Sequence, residues 1–329
     1  MTKSYLITGG TGFLGSALVK RLVKDGYKVR VLDNNSRGNS DRLKEVAGDI
    51  EFIEADIRDA DAVAHACWGM DSVCHLAYVN GTEFFYSKPE LVLEIAVLGM
   101  MNVLNGCRKA GVGEFVLASS SEVYQTPPVV PTDETVPLSV PDPLNPRYSY
   151  GGGKIISEIL AINYGRKYFE RVLIFRPHNV YGPDMGWEHV LPQFVLRMKE
   201  LCQSHKDPIS FQIQGTGKET RSFVFIEDFI DGLKLVLDQG QHLNIYHIGT
   251  IEEITIEAAA RLVSNYFNCK INVIMGELAP GGTSRRCPDI AKLSALGFQP
   301  KYTIREGLPI LAEWYVRNAH KNPKNNSNY

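Results

Sequence analysis

Ser4-Tyr5-Leu6-Ile7-Thr8-Gly9-Gly10-Thr11-Gly12-Phe13-Leu14-Gly15 is the stretch on which the fold turns. Its first five residues carry no charge and run into glycine, the pattern of a short buried strand. Glycines then recur in two overlapping spacings, Gly9/Gly12/Gly15 and Gly10/Gly12/Gly15. Glycine lets a turn tighten and lets backbone approach a pyrophosphate. The helix that follows offers its unpaired N–H groups to the anion. That helix is predicted over Ser16 to Lys24, where Ala17, Leu18, Leu22 and Val23 give a helical apolar pattern.

Working outward, Lys28 to Leu32 reads as the second strand, and Asp33 closes it. An acid there suits the ribose hydroxyls of NAD and repels the 2′-phosphate of NADP. That acid makes NAD the favoured cofactor, although Arg37, a few residues on, could tolerate NADP. Ile50 to Ala55 is a third strand, followed by Asp56-Ile57-Arg58 where an adenine edge would lie. Ser72 to Ala77, Glu114 to Ala118 and Val172 to Phe175 are three more strands. Lys88 to Lys109 and Tyr148 to Tyr168 are long helical stretches between them. This alternation predicts an α/β fold with a doubly wound parallel sheet of the Rossmann kind, with ligands at the carboxyl ends of the strands.

Residues 1–176 are expected to form the dinucleotide-binding domain, with 223–248 returning to it. Residues 177–222 and 249–320 would form a smaller, discontinuous substrate-binding domain, and 321–329 a frayed polar tail. Gln125 to Pro146 holds seven of the 17 prolines and lies between two candidate catalytic segments, so it reads as a long loop and a lid.

Composition narrows the function classes. The chain has 329 residues, 44% of them hydrophobic, enough for one large or two medium domains. A net charge of −2 gives no footprint for nucleic acid or an anionic membrane. The six cysteines form no C-x-x-C and the eight histidines no H-E-x-x-H, so neither a metal site nor a disulfide framework is expected. A strand begins almost at the first residue and no apolar run reaches about 18 residues, so neither a signal peptide nor a membrane span is expected. The simple expectation is a reducing cytoplasm.

The chemistry is concentrated at Tyr150-Gly151-Gly152-Gly153-Lys154 and Ser119-Ser120-Ser121-Glu122. Tyr150 and Lys154 are four apart on a predicted helix and share a face. A lysine charge beside a phenol lowers the phenol's pKa, and the tyrosinate can take a proton from a sugar hydroxyl as hydride leaves for NAD. The serines follow the fifth strand at its carboxyl end, where a hydroxyl could hold the substrate oxygen. Glu122 is a candidate general acid or base.

Together these segments resemble the extended short-chain dehydrogenase/reductases, specifically the NAD-dependent nucleotide-sugar epimerases and dehydratases. The matching motifs are TGGTGFLG at 8–15, DIR at 56–58, HLAY at 75–78, SSSEVY at 119–124, YGGGK at 150–154 and RPHNVYGP at 176–183. GTGKETRSFVFIEDF at 215–229 and RRCPDIAKL at 285–293 also match. The resemblance implies that Ser120 is the catalytic hydroxyl, Tyr150 the base, and Lys154 the residue that tunes it and binds the nicotinamide ribose. It implies cofactor contacts at Gly9, Gly12, Phe13, Leu14, Gly15, Asp33, Asp56, Ile57, Leu76, Ala77 and Pro177. Asn179, Arg221 and one of Arg285 or Arg286, with Arg285 taken first, would meet the sugar diphosphate. Three positions depart from the family pattern: Ala96 where Asn is frequent, Tyr78 at the end of HLAY, and Gln125 where Gly is usual.

The resemblance further implies oxidation at sugar C4 to a 4-keto intermediate with tightly bound NAD. Glu122 then favours a 4,6-dehydratase or a decarboxylase over a 4-epimerase, which needs little beyond Ser, Tyr and Lys. A carbonyl reductase that releases NAD(P) each cycle is the alternative of another class. The helix Lys88 to Lys109 is apolar all round, more than one buried face requires. With Tyr148 to Tyr168 it is the candidate contact of a homodimer.

Overall fold

The computed structural model describes residues 2–203, 208–277 and 282–323. The glycine-bounded segment is β1 (Ser4–Thr8), buried along its whole length. It leads into α1 (Phe13–Lys24), β2 (Lys28–Asp33), β3 (Ile50–Glu54), α2 (Ala60–Cys67) and β4 (Ser72–His75). Then come α3 (Thr82–Ser87), α4 (Pro89–Glu94), α5 (Met100–Ala110), β5 (Glu114–Ala118), α6 (Tyr148–Tyr168) and β6 (Arg171–Pro177). The remaining helices of two turns or more are α7 (Val190–Cys202), α8 (Ile226–Gln239), α9 (Ile256–Tyr266) and, after the short α10 (Ala291–Ser294), α11 (Ile304–Asn318).

Seven strands form one sheet, in the order Asn244–Ile248, β6, β5, β4, β1, β2, β3. Every neighbouring pair is parallel. Helices cover both faces, so the central strands are apolar throughout instead of alternating. Alternation instead decides which face a residue serves. Ile7 packs with Leu18 and Leu22 of α1 and Phe229 of α8. Its neighbour Leu6 packs on the other side with Val63 of α2, Val103 of α5 and Ala161 of α6. A third core lies off the sheet, where α7, α9 and α11 bring together Phe194, Val263, Leu311 and Tyr315. Met185 and Trp187 belong to it: Tyr315 donates to the Met185 carbonyl, and Trp187 meets the Tyr315 ring edge-on at 5.0 Å.

One internal ion pair fixes the register of α6 on the sheet. Arg176 of β6 and Glu158 of α6 are each 2% exposed and 2.6 Å apart, and Ser119 donates to the same carboxylate. Burial without a partner would cost either charge several kcal/mol, so the pair holds α6 in one position.

Three features differ from what the sequence led us to expect. Cys202 and Cys269 are joined in a disulfide, their Cα atoms 6.6 Å apart. They come from α7 and the turn after α9, neighbours in the third core but 67 residues apart in sequence, with no local motif to announce them. The proline-rich loop is not a free lid. Thr132 N–H donates to the Cys287 carbonyl, the Glu134 carboxylate accepts from His247 N–H, and Ser139 N–H donates to the Val123 carbonyl. Finally, a π-turn at Ile95–Gly99 joins α4 to α5, and the resulting helix Pro89–Ala110 is long and apolar enough, by length and composition, to cross a membrane. Half of its apolar window is buried in the fold. Of the expected tail, residues 324–329 lie outside the described residues.

Candidate active site

The glycine turn is built by close approach. Gly9 has φ +75°, and a Cβ there would lie 2.6 Å from the Ala77 nitrogen. A Cβ on Gly15 would sit 2.0 Å from the Gly9 carbonyl oxygen. Gly12 is the N-cap of α1 and has no side chain to cap it, so the first-turn N–H groups of Phe13, Leu14 and Gly15 are left for a ligand. Asp33 braces this turn: its carboxylate accepts from Thr11 N–H at 2.9 Å and from Asn35 N–H at 2.9 Å.

An open cleft runs along the carboxyl ends of the strands. Gly9, Gly12, Asp33, Asp56, Ile57, Leu76 and Ala77 line it, and so do Arg37 and Tyr78. The chemistry of this lining fits an adenine dinucleotide. It offers a carboxylate for ribose hydroxyls, a second carboxylate at Asp56 held below its usual range by the bonded Arg58, and apolar walls for a base. The Phe13 ring leans toward Gly182, and Leu14 packs under the sheet, so what these two can offer a ligand is backbone.

Just past the carboxyl end of β5, Ser120 caps a short 3-10 turn, accepting from Glu122 N–H at 3.1 Å. Its hydroxyl shares a hydrogen bond with the Tyr150 phenol. Burial pushes that phenol up to about 12, and the Ser120 bond only partly offsets it. This corrects the expectation that Lys154 lowers the pKa of Tyr150. The ammonium of Lys154 donates to the Ala118 carbonyl at 2.7 Å and lies 3.7 Å above the Tyr78 ring, farther from the Tyr150 ring at 5.9 Å. Burial lowers Lys154 to about 7, against the opposing pull of Glu158.

Glu122 faces an arginine cluster. Burial raises its carboxyl, but Arg286, and after it Arg147 and Arg221, more than offset this and hold it below the usual range. Arg286 donates to Glu122 at 2.5 Å. Arg221 feels both burial and repulsion from Arg286, which bring it down to about 10. Asn179 lies beside it, donating to the Ser222 carbonyl at 3.0 Å, and Pro177 ends β6 nearby in sequence. The structure does not bring Arg285 into this group. Its guanidinium is paired outward with Glu253 at 2.6 Å and half exposed. Consecutive residues of an extended strand face opposite ways, so only one of the two arginines can point inward.

Sequence reasoning missed Arg147 and His178. His178 is 1% exposed, both its ring nitrogens lack a partner, and its ring meets His247 edge-on at 4.7 Å. Burial, with His247, Arg286 and Arg176 around it, keeps the ring neutral. A histidine directly before Asn179 was the available signal.

Comparison with known proteins places this geometry. The model of the NAD dependent epimerase/dehydratase family matches residues 5–249. UDP-glucuronic acid decarboxylase 5 of Arabidopsis thaliana is 32% identical over 317 residues, covering 94% of this chain and 88% of that one. A putative UDP-glucose 4-epimerase of Methanocaldococcus jannaschii is 30% identical over 318 residues, covering 95% and 98%. Among solved structures, the dTDP-glucose 4,6-dehydratase DesIV of Streptomyces venezuelae, solved with NAD bound, superposes with a TM-score of 0.85 at 29% identity, over 98% of this chain and 99% of that one.

Proposed function

The chain belongs to the NAD-dependent epimerase/dehydratase family, and from that premise we propose that it oxidises a nucleotide-diphosphate uronic acid at sugar C4 and then releases C6 as CO2. NAD, when bound, supplies the hydride acceptor at C4 and returns the hydride at the end. Gly9, Gly12, Phe13, Leu14, Gly15, Asp33, Asp56, Ile57, Leu76, Ala77 and Pro177 would hold it, with Lys154 at the nicotinamide ribose. Tyr150 takes the C4 hydroxyl proton, and Ser120 holds the same oxygen. Oxidation turns the sugar into a β-keto acid. The C5–C6 bond then breaks, CO2 leaves, its electron pair moves onto the C4 oxygen, and C5 takes up a proton relayed by Glu122.

The observation that carries this reading is the charge around Glu122. Three guanidiniums, Arg147, Arg221 and Arg286, act on one carboxylate. That surplus suits a substrate with a diphosphate and a further carboxylate, and Arg286 takes the role first given to Arg285. Elimination of water would need an acid for the leaving hydroxyl as well as a base for the C5 proton. Here Glu122 is the carboxylate that acts on the Tyr150 phenol, and its chain neighbour Ser121 is neutral. The dehydratase likeness nevertheless keeps dehydration as the second reading.

The test is product mass after incubation with a panel of nucleotide sugars that includes UDP-glucuronic acid. A product lighter by CO2 supports the proposal. One lighter by water from a neutral hexose would replace it with dehydration, and an isomer of unchanged mass with epimerisation.

We also propose a cytoplasmic homodimer. Leu93, Val97 and Leu98 on the long helix and Ile156 and Ile159 on α6 are all exposed, and the two helices pack side by side.

A further inference from the structure

The three departures from the family pattern meet the glycines of Tyr150–Lys154. Gly153 is crowded from two sides: a Cβ there would lie 2.3 Å from the Tyr78 hydroxyl oxygen and 2.7 Å from the Ala96 methyl carbon. The hydroxyl of Tyr78 and the small side chain at 96 therefore converge on one spot over α6. A side chain at 153 would meet the phenol and the Ala96 methyl at once. Gly151 does the same for the third departure, since a Cβ there would lie 2.3 Å from the Gln125 amide nitrogen. The glycine run is thus the space that Tyr78 and Gln125 need.

Tyr78 uses that space to touch the catalytic pair. Its hydroxyl donates to the Tyr150 carbonyl at 3.4 Å, a long bond, and its ring meets the Tyr150 ring edge-on at 5.1 Å. Phe85 of α3 stacks on the Tyr150 ring at 4.8 Å. The face of Tyr78 lies 3.7 Å from the Lys154 ammonium, well inside the range at which an aromatic quadrupole attracts a cation. Besides that face the ammonium has the Ala118 carbonyl at 2.7 Å. Tyr78 also lines the dinucleotide cleft.

We propose that Tyr78 is a positioning residue for the reaction: its ring face, with the Ala118 carbonyl, fixes the Lys154 ammonium at the foot of Tyr150, and Ala96 and Gly153 make the room it requires. The ring thereby favours the charged form of a lysine that burial drives toward neutrality. The other titratable groups that act with Lys154 are Glu158 one turn along α6, paired with Arg176, and His75 at the end of β4. Neither changes in the variants below. The proposal rests on Lys154 being the cofactor-side lysine, but its primary test does not.

The test is a carbon-13 chemical-shift titration of the lysine side chains in the full-length protein as purified, with the Lys154 signal assigned by its loss in Lys154→Met. In the wild type, burial should bring the midpoint of this signal down to near 7. Tyr78→Phe keeps the ring face and should leave the midpoint in place. Tyr78→Leu keeps the site apolar but removes the π-face, and should lower the midpoint by about one unit, tenfold in proton affinity. The alkaline limb of the pH profile for reduction of bound NAD by substrate, where the ammonium charge is lost, should move down with it. An unchanged midpoint in Tyr78→Leu, or an equal shift in Tyr78→Phe, overturns the proposal. If Lys154→Met still reduces bound NAD at the wild-type rate, the assigned role of Lys154 fails, while the titration of the Tyr78 variants stands on its own.

Discussion

The proposed reaction turns on a single residue, Glu122. It is ionised and bonded to Arg286, and Arg147 and Arg221 also stabilise its charge. Its folded-state pKa is depressed, so its charge is present above the unfolded value and is lost only as the pH falls through a lower one. Activity that depends on the carboxylate should therefore persist below the ordinary glutamate range of about 4.3. Glu122→Gln keeps the shape and removes the charge. If Glu122 acts after C4 oxidation, bound NAD should still be reduced on adding substrate, and the absorbance of reduced nicotinamide should persist. Product formation should fall on the order of 10²–10⁴-fold. Near-normal turnover would mean that no proton passes through Glu122, the epimerase outcome. Loss of the reduction itself would leave Glu122 with only a supporting role beside Ser120.

At the scale of elements, the two helices proposed to pair across a dimer give a sharp expectation. Leu98 is 49% exposed on the long helix and Ile159 is 54% exposed on α6, so a partner's apolar surface would remove both from water. Leu98→Glu puts a charge into that contact without touching the sheet, and should convert a dimer into a folded monomer in light scattering. A wild-type monomer at micromolar concentration would end the idea. The same scale shows what could be read in advance. β1, the glycine turn and α1 were legible because their spacing and hydrophobic pattern are local, and Tyr150 and Lys154 because a helix puts i and i+4 on one face. The choice between Arg285 and Arg286 was not legible. They are neighbours in a two-residue strand that pairs with Thr220–Arg221, and the register of that pairing sets which one faces Glu122. The Cys202–Cys269 disulfide and the resting place of Lys154 on Tyr78 depend likewise on contacts between distant segments, for which no periodicity exists.

For the molecule as a whole, the candidate site draws on two sets of segments. The sheet and its helices carry the glycine turn, Asp33, Ser120, Glu122 and Tyr150. The segments beyond β6 carry Asn179, Arg221 and Arg286. A ligand that meets only the first set should stabilise the chain through the sheet, by RT ln(1 + [L]/Kd). NAD at a hundredfold excess over its Kd would contribute about 2.7 kcal/mol, a rise in Tm on the order of 5 °C. NADP should give far less at the same concentration, because its 2′-phosphate would face the carboxylate that braces Thr11 and Asn35. Thermal melts of protein stripped of nucleotide measure this directly, and Asp33→Ala should narrow the difference between the two cofactors mainly by weakening NAD. If NADP stabilises the unaltered protein as much as NAD does, Asp33 does not select the cofactor. A nucleoside diphosphate offers anions to Arg221 and Arg286 instead, so its shift should survive Asp33→Ala unchanged. That separation is what the proposed roles require: one carboxylate at the end of β2 would read the cofactor, and guanidiniums contributed after β6 would read the substrate.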